Sequence, residues 1–492
     1  MEEQRIGVYV CWCGSNIAKM VDVVAVAKEM EKLPGVVIAK DYKYMCSDPG
    51  QDLIIKDIKE HNLNRVVVAA CSPRMHELTF RKALENAGLN RYMFEMANIR
   101  EHDAWVHTDR KEATDKALDL IKGAIHRVRF HEALEKRSVE VNPATLIIGG
   151  GISGISAALK IADSGKKAFL VEKTGQLGGH VANVDLTFPN MYSAQQILKE
   201  KIALVENHPH IGLFLNTQVK EITGYIGNFE AEVLNDSGKK FELKFGNIVV
   251  ATGLKPFDPT GIGDYGYGKF PNVITAAEFE KKLLSGNIHM DNGNIPRNVA
   301  IIHCVGSRNK DFHEYCSRTC CLTALKYANQ VKSALPDANV YQLYADMRAI
   351  GKGSEEFYTE TSKKEVMFLM YDQKNGLPHI RSRGHAECDM LIETSEKLSG
   401  EDIEICADLV ILMTGMEARD DAKEIAHKVG VSTDGNGFFI EKHPKLDPVA
   451  TTTDGVYCRK LPGTKRHTRF CCTSTGCRST NFSNNLIWFC TG

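Results

Sequence analysis

Cys304 is followed, after eleven residues, by Cys316-Ser317-Arg318-Thr319-Cys320-Cys321, which places four thiols on one short stretch of chain. Four thiolates, one at a strand end and three on the loop or helix start that follows, can enclose one iron–sulfur cube or one zinc ion. The spacing departs from C-x-x-C-x-x-C, and free cysteine is a common core residue, so a ligand set and four buried structural thiols stand as alternative readings. Cys11, Cys13, Cys46 and Cys71 form a looser second group. Each lies at or near the end of a predicted strand, where a parallel sheet collects its ligands, yet a cysteine there is also simply a small core residue. Cys388 and Cys406 have no partner at useful spacing and read as plain thiols.

A second chemistry is written in glycine. Gly149, Gly151 and Gly154 form G-x-G-x-x-G between the apolar run ATLIIGG and the helical pattern GISGISAALKIADSG, and Glu172 ends the next apolar run. In that context the glycines permit a tight turn and close approach of backbone to a pyrophosphate. The helix N-terminus favours the phosphate charge, and the acidic residue binds a ribose hydroxyl pair. A glycine-rich turn without function is the bland alternative. Lys173 and a second glycine loop with Gly178 and Gly179 follow directly, and a later apolar strand closes in Ala251-Thr252-Gly253. Together these resemble the FAD domain of the two-dinucleotide-domain flavoproteins of the thioredoxin-reductase type, which favours FAD over NAD.

That likeness predicts a second dinucleotide-like domain, opening with RNVAIIHC near residue 298 and closing with ADLVILMTGM at residues 407–416. The glycine fingerprint is missing after its first strand, where His303-Cys304-Val305-Gly306-Ser307-Arg308 stands instead. NAD(P)H is therefore not expected to bind here in the usual way. Lys326, on the helical pattern LTALKYANQVKSAL, reads either as a solvated helix lysine or as a cation that tunes a flavin.

The elements that must position these residues alternate strand and helix. Runs at 5–11, 36–40, 65–71 and 92–96 read as strands, with helical patterns at 21–33, 52–60, 77–88 and 110–138 between and after them. The fold class is α/β: an N-terminal parallel α/β domain (1–140) followed by a thioredoxin-reductase-like, Rossmann-type FAD flavoprotein. The FAD-binding domain is expected in two parts, 141–297 and 417–457, around a domain at 298–416 that carries the thiols in place of NAD.

The 492 residues carry 61 Lys+Arg against 62 Asp+Glu, with 43% apolar residues. Such a balance, without basic blocks, argues against nucleic acid as the main partner. No apolar run approaches the roughly 20 residues of a membrane-spanning helix, and the N-terminus lacks the pattern of a signal peptide, so a cytoplasmic location is expected. A disulfide framework is implausible in a large chain held reduced, which favours metal or redox use of the cysteines.

CVGSR, YCSRTCC, DMRAIGKGSEEFY (346–358) and GFFIEKHPKLDPVATTTDGVY (437–457), with the N-terminal VCWCGSNIA, MCSDPGQ and ACSPRMHE, resemble HdrA, the iron–sulfur flavoprotein of heterodisulfide reductase from methanogens and related anaerobes. The resemblance covers nearly all of residues 5–457. It implies FAD and [4Fe–4S] clusters, with Cys304, Cys316, Cys320 and Cys321 matching cluster ligands beside the flavin and with a second cluster or a docking surface at Cys11, Cys13, Cys46 and Cys71. It also implies an electron-transfer function within a complex that reduces the CoB–CoM heterodisulfide in methanogenesis-type metabolism. The implied partners are heterodisulfide reductase subunits B and C, a hydrogenase or dehydrogenase donor, and ferredoxin, with disulfide cleavage on a different polypeptide of the complex. In that family the flavin splits an electron pair between two acceptors.

The chain departs from the family in two places. Family members commonly carry ferredoxin modules written as C-x-x-C-x-x-C-x-x-x-C, and no such run exists here. The stretch from Cys458 onward, with Cys471, Cys472 and Cys477, is basic and without apolar period; permitted codons for it, shifted by one base, give the segment the family places after GVY. It reads as out of frame after Tyr457. An NAD(P)H-dependent disulfide reductase and a non-catalytic scaffold are the alternative functions. The reductase would need a C-x-x-C dithiol, which the sequence lacks, and a second G-x-G-x-x-G directly after the strand RNVAIIHC, where none stands.

Overall fold

The structure, a computed structural model, describes residues 3–135, 138–373, 376–385, 388–443, 447–451 and 453–458. The expectations for Cys471, Cys472 and Cys477, and for the rest of the tail beyond Cys458, lie outside the described residues. The chain divides into two compact units, residues 1–139 and 140–492.

In the first unit the strands Ile6–Cys11, Val36–Tyr42, Arg65–Ala70 and Phe94–Asn98 form one parallel sheet, with Val36–Tyr42 and Phe94–Asn98 at its edges. Ile6–Cys11 is buried along its whole length because apolar clusters cover both faces of the sheet. The helices Val23–Met30, Asp48–Glu60 and Arg110–Val128 start on side-chain caps from Asp22, Ser47 and Asp109, which satisfy backbone N–H groups of the first turn.

Two boundaries differ from the sequence pattern. The last helix ends at Val128 rather than near 138, because its buried positions, Ala113, Ala117, Ile121, Ala124, Ile125 and Val128, stop there and Phe130 is exposed. The fourth strand starts at Phe94 rather than 92, because the Asn90 side chain and carbonyl hold the amides of Tyr92 and Met93 in a turn.

The second unit repeats one plan twice. Its first sheet runs Val456–Cys458, Asn247–Val250, Thr145–Ile148, Ala168–Val171, Ile211–Phe214 in parallel, extended by the antiparallel strands Glu441–His443 and Asp447–Thr451. Cys458, at the head of the tail, thus still belongs to the sheet. The second sheet runs Val273–Thr275, Leu409–Thr414, Asn298–Val305, Asn339–Tyr344, Val366–Met370, all parallel. Each half carries a three-stranded antiparallel sheet, at 217–245 in the first and 379–407 in the second. The short antiparallel pair Leu254–Pro256 and Met416–Ala418 joins the halves. This is the two-dinucleotide-domain α/β architecture. Among the described residues no helix is long and apolar enough to cross a membrane.

Cys388 and Cys406, read from spacing as plain thiols, are joined as a disulfide with Cα atoms 5.8 Å apart. The correction follows from the hairpin: folding Cys388–Ser395 back against Asp402–Ala407 brings close two thiols 18 positions apart, which spacing in sequence does not display.

Asp103 carries a prediction for the first unit. It lies fully buried in the single π-turn Arg100–Ala104, neither carboxyl oxygen accepts a hydrogen bond from the protein, and His107 Nδ1 stands 3.1 Å away. Burial pushes its pKa from the ordinary 3.8 up to about 6. The folded state then keeps the proton where the unfolded chain has released it, so stability should fall as pH rises from about 4 to 6. Asp103→Asn should flatten that slope and stabilise the unit at pH 7 by on the order of 1–3 kcal/mol in urea unfolding. An unchanged slope would refute the assignment.

Candidate functional site

The turn after Thr145–Ile148 is shaped by two glycines that nothing else can replace. A Cβ on Gly149, whose φ is 111°, would lie 2.4 Å from the Ala251 carbonyl oxygen, and one on Gly154 would lie 1.8 Å from the carbonyl oxygen of Gly149. Gly151 is different, since a Cβ there meets nothing within 4 Å. Open space therefore stands over the N-terminus of the helix Ile152–Asp163, where unpaired amides favour an anion.

Glu172, expected as a ribose ligand, also fastens the cradle. One oxygen accepts the Gly150 N–H at 2.6 Å; the other accepts from the backbone and hydroxyl of Thr174. Gly178 donates to the Gly150 carbonyl at 2.8 Å, and Gly178 and Gly179 both have positive φ, so the second glycine loop lies against the first. Lys173 pairs with Asp421 at 2.7 Å, linking this loop to the returning chain. Ala251, Thr252 and Gly253 line a cleft together with Ser153, Arg419 and Phe438. The last two escaped sequence reasoning because they carry no motif, although GFFIEKHP stands out as a segment.

Lys326 is not a solvated helix lysine. It is 1% exposed, its Nζ is paired with the Glu280 carboxylate, and it donates to the Leu186 carbonyl at 3.0 Å. Glu280 also accepts from the Tyr327 hydroxyl and from the Asp185 amide, each at 3.0 Å. Burial lowers the Lys326 pKa and the Glu280 charge opposes that shift. Removing one member would strand the other charge in the interior. Asp185 and Leu186 come shortly after the second glycine loop, so this pair is tied to the cradle. Glu280 was missed because nothing in AAEFEKKLL distinguishes it from surface glutamates.

The corresponding turn of the second half is filled rather than open. Gly306, with φ 73°, lies under the Phe257 ring, which a Cβ would approach to 2.3 Å. The four thiols flank this turn: Cys304 is the penultimate residue of Asn298–Val305, Cys316 lies on the loop, and Cys320 and Cys321 open the helix Cys320–Ala334. Cys304, Cys320 and Cys321 are buried, and each thiol is pushed up by burial and by the charges of its cysteine neighbours, Cys304 to about 12. Cys316 contributes to all three shifts, so it lies within electrostatic reach of the other three sulfurs. Backbone amides already point at two of the sulfurs, Arg348 at Cys321 (3.3 Å) and Arg318 at Cys316 (3.4 Å). Cys304, Arg308 and Arg318 all adopt left-handed backbone conformations, a strain that clusters at functional turns. Such thiols remain protonated when free; metal coordination would displace the protons.

Cys11, Cys13, Cys46 and Cys71 also converge, at the carboxyl ends of the first unit's strands. Cys11 Sγ accepts the amides of Cys13 and Met45, and the charge of Cys13 reaches Cys11, Cys46 and Cys71. Arg100 Nη1 donates to Cys13 Sγ at 3.2 Å while its Nη2 is held by Glu101 at 2.7 Å. Arg100 had no motif to mark it.

The two kinds of glycine should separate on substitution. Gly154→Ala should destabilise the protein, because its Cβ has no room beside the Gly149 carbonyl, whereas Gly151→Ala should leave the thermal unfolding profile unchanged and obstruct only what enters the cradle. Equal destabilisation of both variants would contradict the geometry.

Residues 143–302 match the family model for pyridine nucleotide-disulphide oxidoreductases. Among solved structures, thioredoxin reductase of T. acidophilum is similar at 16% identity, with a TM-score of 0.45 over 68% of this chain and 94% of that one. Curated relatives are much nearer. The HdrA protein of the H(2):CoB-CoM heterodisulfide,ferredoxin reductase of Methanothermobacter marburgensis is 39% identical over 93% of this chain and 81% of its own length. The corresponding iron-sulfur protein of the CoB–CoM heterodisulfide reductase of Methanocaldococcus jannaschii is 38% identical over 92% and 81%. Its counterpart in the ferredoxin/F(420)H(2)-dependent CoB-CoM heterodisulfide reductase of Methanosarcina acetivorans is 35% identical over 92% and 67%. Identity at this level, sustained through both units, makes this chain a member of the HdrA family of heterodisulfide reductase proteins.

Proposed function

We propose that this oxidoreductase is the electron-transfer component of a heterodisulfide-reductase-type complex, with FAD in the cradle of Gly149, Gly151 and Gly154 and a [4Fe–4S] cluster on Cys304, Cys316, Cys320 and Cys321. The observation that carries the reading is the exchange between the two strand-end turns: open space over Gly151 in the first half, and four convergent thiols around a turn filled by Phe257 in the second. FAD, when bound, takes up an electron pair and releases electrons singly to iron–sulfur centres.

The chain's own groups fit those tenants. The helix N-terminus at Ile152 faces the space a pyrophosphate would fill, Glu172 and the Gly178–Gly179 loop set its walls, and Thr252 and Gly253 continue the cleft. Four cysteine sulfurs with two N–H donors already on them suit a cubane. Lys326, paired with Glu280, is assigned the tuning of the flavin. Cys11, Cys13, Cys46 and Cys71 are assigned a second cluster in the first unit on the same grounds of convergence and N–H···S contacts. Domain limits follow the sequence division, with a flavin domain in two parts around the thiol-bearing one.

Relatives named for H(2), formate, F(420)H(2) and ferredoxin support a hydrogenase or dehydrogenase as donor and ferredoxin as a partner, with subunits B and C completing the complex. The place of work is the cytoplasm. Simple electron transfer is the step assigned; splitting of the pair between two acceptors is not included in it.

Anaerobic purification with iron and FAD quantitation tests the reading. Wild type should hold FAD and about eight irons, and Cys316→Ala should lose about four of them while keeping FAD. Flavin without iron would move the protein to the disulfide-reductase class, and absence of both would leave only a scaffold.

A further inference from the structure

Arg308 closes the turn that carries Cys304. Its backbone amide is held by the Tyr315 carbonyl at 3.1 Å, and Ser307 N–H returns to the Cys304 carbonyl at 3.0 Å, so a tight turn folds the Arg308 side chain back onto the thiols. The guanidinium stands within electrostatic reach of the Cys304 and Cys321 sulfurs. One arm, Nη2, is fixed by the Asp346 carboxylate. The other, Nη1, is buried and has no hydrogen-bond partner among the described residues. An arginine nitrogen left unpaired inside a protein is costly unless something negative belongs beside it.

The first unit repeats the device. Arg100 donates to the Glu101 carboxylate from Nη2 and Nε and to the Cys13 sulfur from Nη1. Both thiol groups of the chain thus present one arginine, tethered by one carboxylate, to a ligand sulfur. The repetition arises in unrelated sequence contexts, on a strand-end turn in one case and a π-turn in the other.

We propose that Arg308 sets the reduction potential of the cluster assigned to Cys304, Cys316, Cys320 and Cys321, with Nη1 donating to the cluster's sulfur. This rests on the cluster reading given above. When one electron arrives from the reduced flavin no bond forms or breaks, and the four-cysteine cubane passes from a net charge of about −2 to about −3. A fixed cation in contact with it stabilises the more negative state, so the potential rises. Asp346 offsets this little: its side chain is 46% exposed against 14% for Arg308, so water screens the carboxylate more than the guanidinium. Arginine suits the task because it stays charged at every working pH and its fork reaches carboxylate and sulfur at once.

The test is a mediator-controlled redox titration of the anaerobically purified full chain, followed by electron paramagnetic resonance. Cys316→Ala identifies which signal belongs to this cluster. Arg308→Gln should retain the iron content of wild type and move that midpoint to more negative potential, and Arg308→Lys should move it less. The signal of the other cluster should stay in place in both variants. An unchanged midpoint in an iron-replete Arg308→Gln overturns the inference while leaving the cluster standing. Loss of iron from both Arg308 variants also overturns it, since Arg308 would then be holding the turn. Wild type without iron would instead remove the cluster reading on which the inference depends.

Discussion

A sulfur atom buried at a strand end is poorly solvated as a thiolate, and that one constraint organises the second half of the larger unit. Cys304, Cys320 and Cys321 can shed their protons only if positive charge and N–H donors replace water around them. The turn from Cys304 to Arg308, the start of the helix Cys320–Ala334 and the loop to Arg348 supply those groups. The left-handed residues at Cys304, Arg308 and Arg318 are the cost of aiming so many donors at so small a volume.

The first half meets the opposite problem, an anion rather than a cluster of sulfurs, with the same framework of parallel strand, turn and helix. There glycine opens the turn, an acidic side chain locks the amide of Gly150, and the helix dipole supplies the positive field. One topological position, the carboxyl end of a central strand, therefore holds a backbone cradle in one half and a side-chain cage in the other. What separates them is local: room above Gly151, and the Phe257 ring above Gly306.

Much of this was legible in the residues. The period of the strands, the glycine fingerprint and the crowding of cysteines after 304 located both turns, and the family likeness gave them a shared purpose. What stayed hidden was the work of lone charged residues. Glu280 and Arg100 carry no motif, Arg308 stands in CVGSR with no role legible for its charge, and only tertiary packing shows that they are turned inward. The Cys388–Cys406 pairing was hidden for a related reason, since the folding of one strand back on its neighbour is a property of the sheet. The end of the long helix at Val128 was misplaced because charge-rich residues past it are good helix formers that have nothing to bury.

The ribbon of Leu254–Pro256 against Met416–Ala418 has a consequence for how such a protein can change over time. The chain leaves the first half and comes back to it on two hydrogen-bonded neighbours, so everything between them is a cassette whose ends already touch. Its contents can be rebuilt without altering the spacing at which the remaining chain rejoins the seven-stranded sheet.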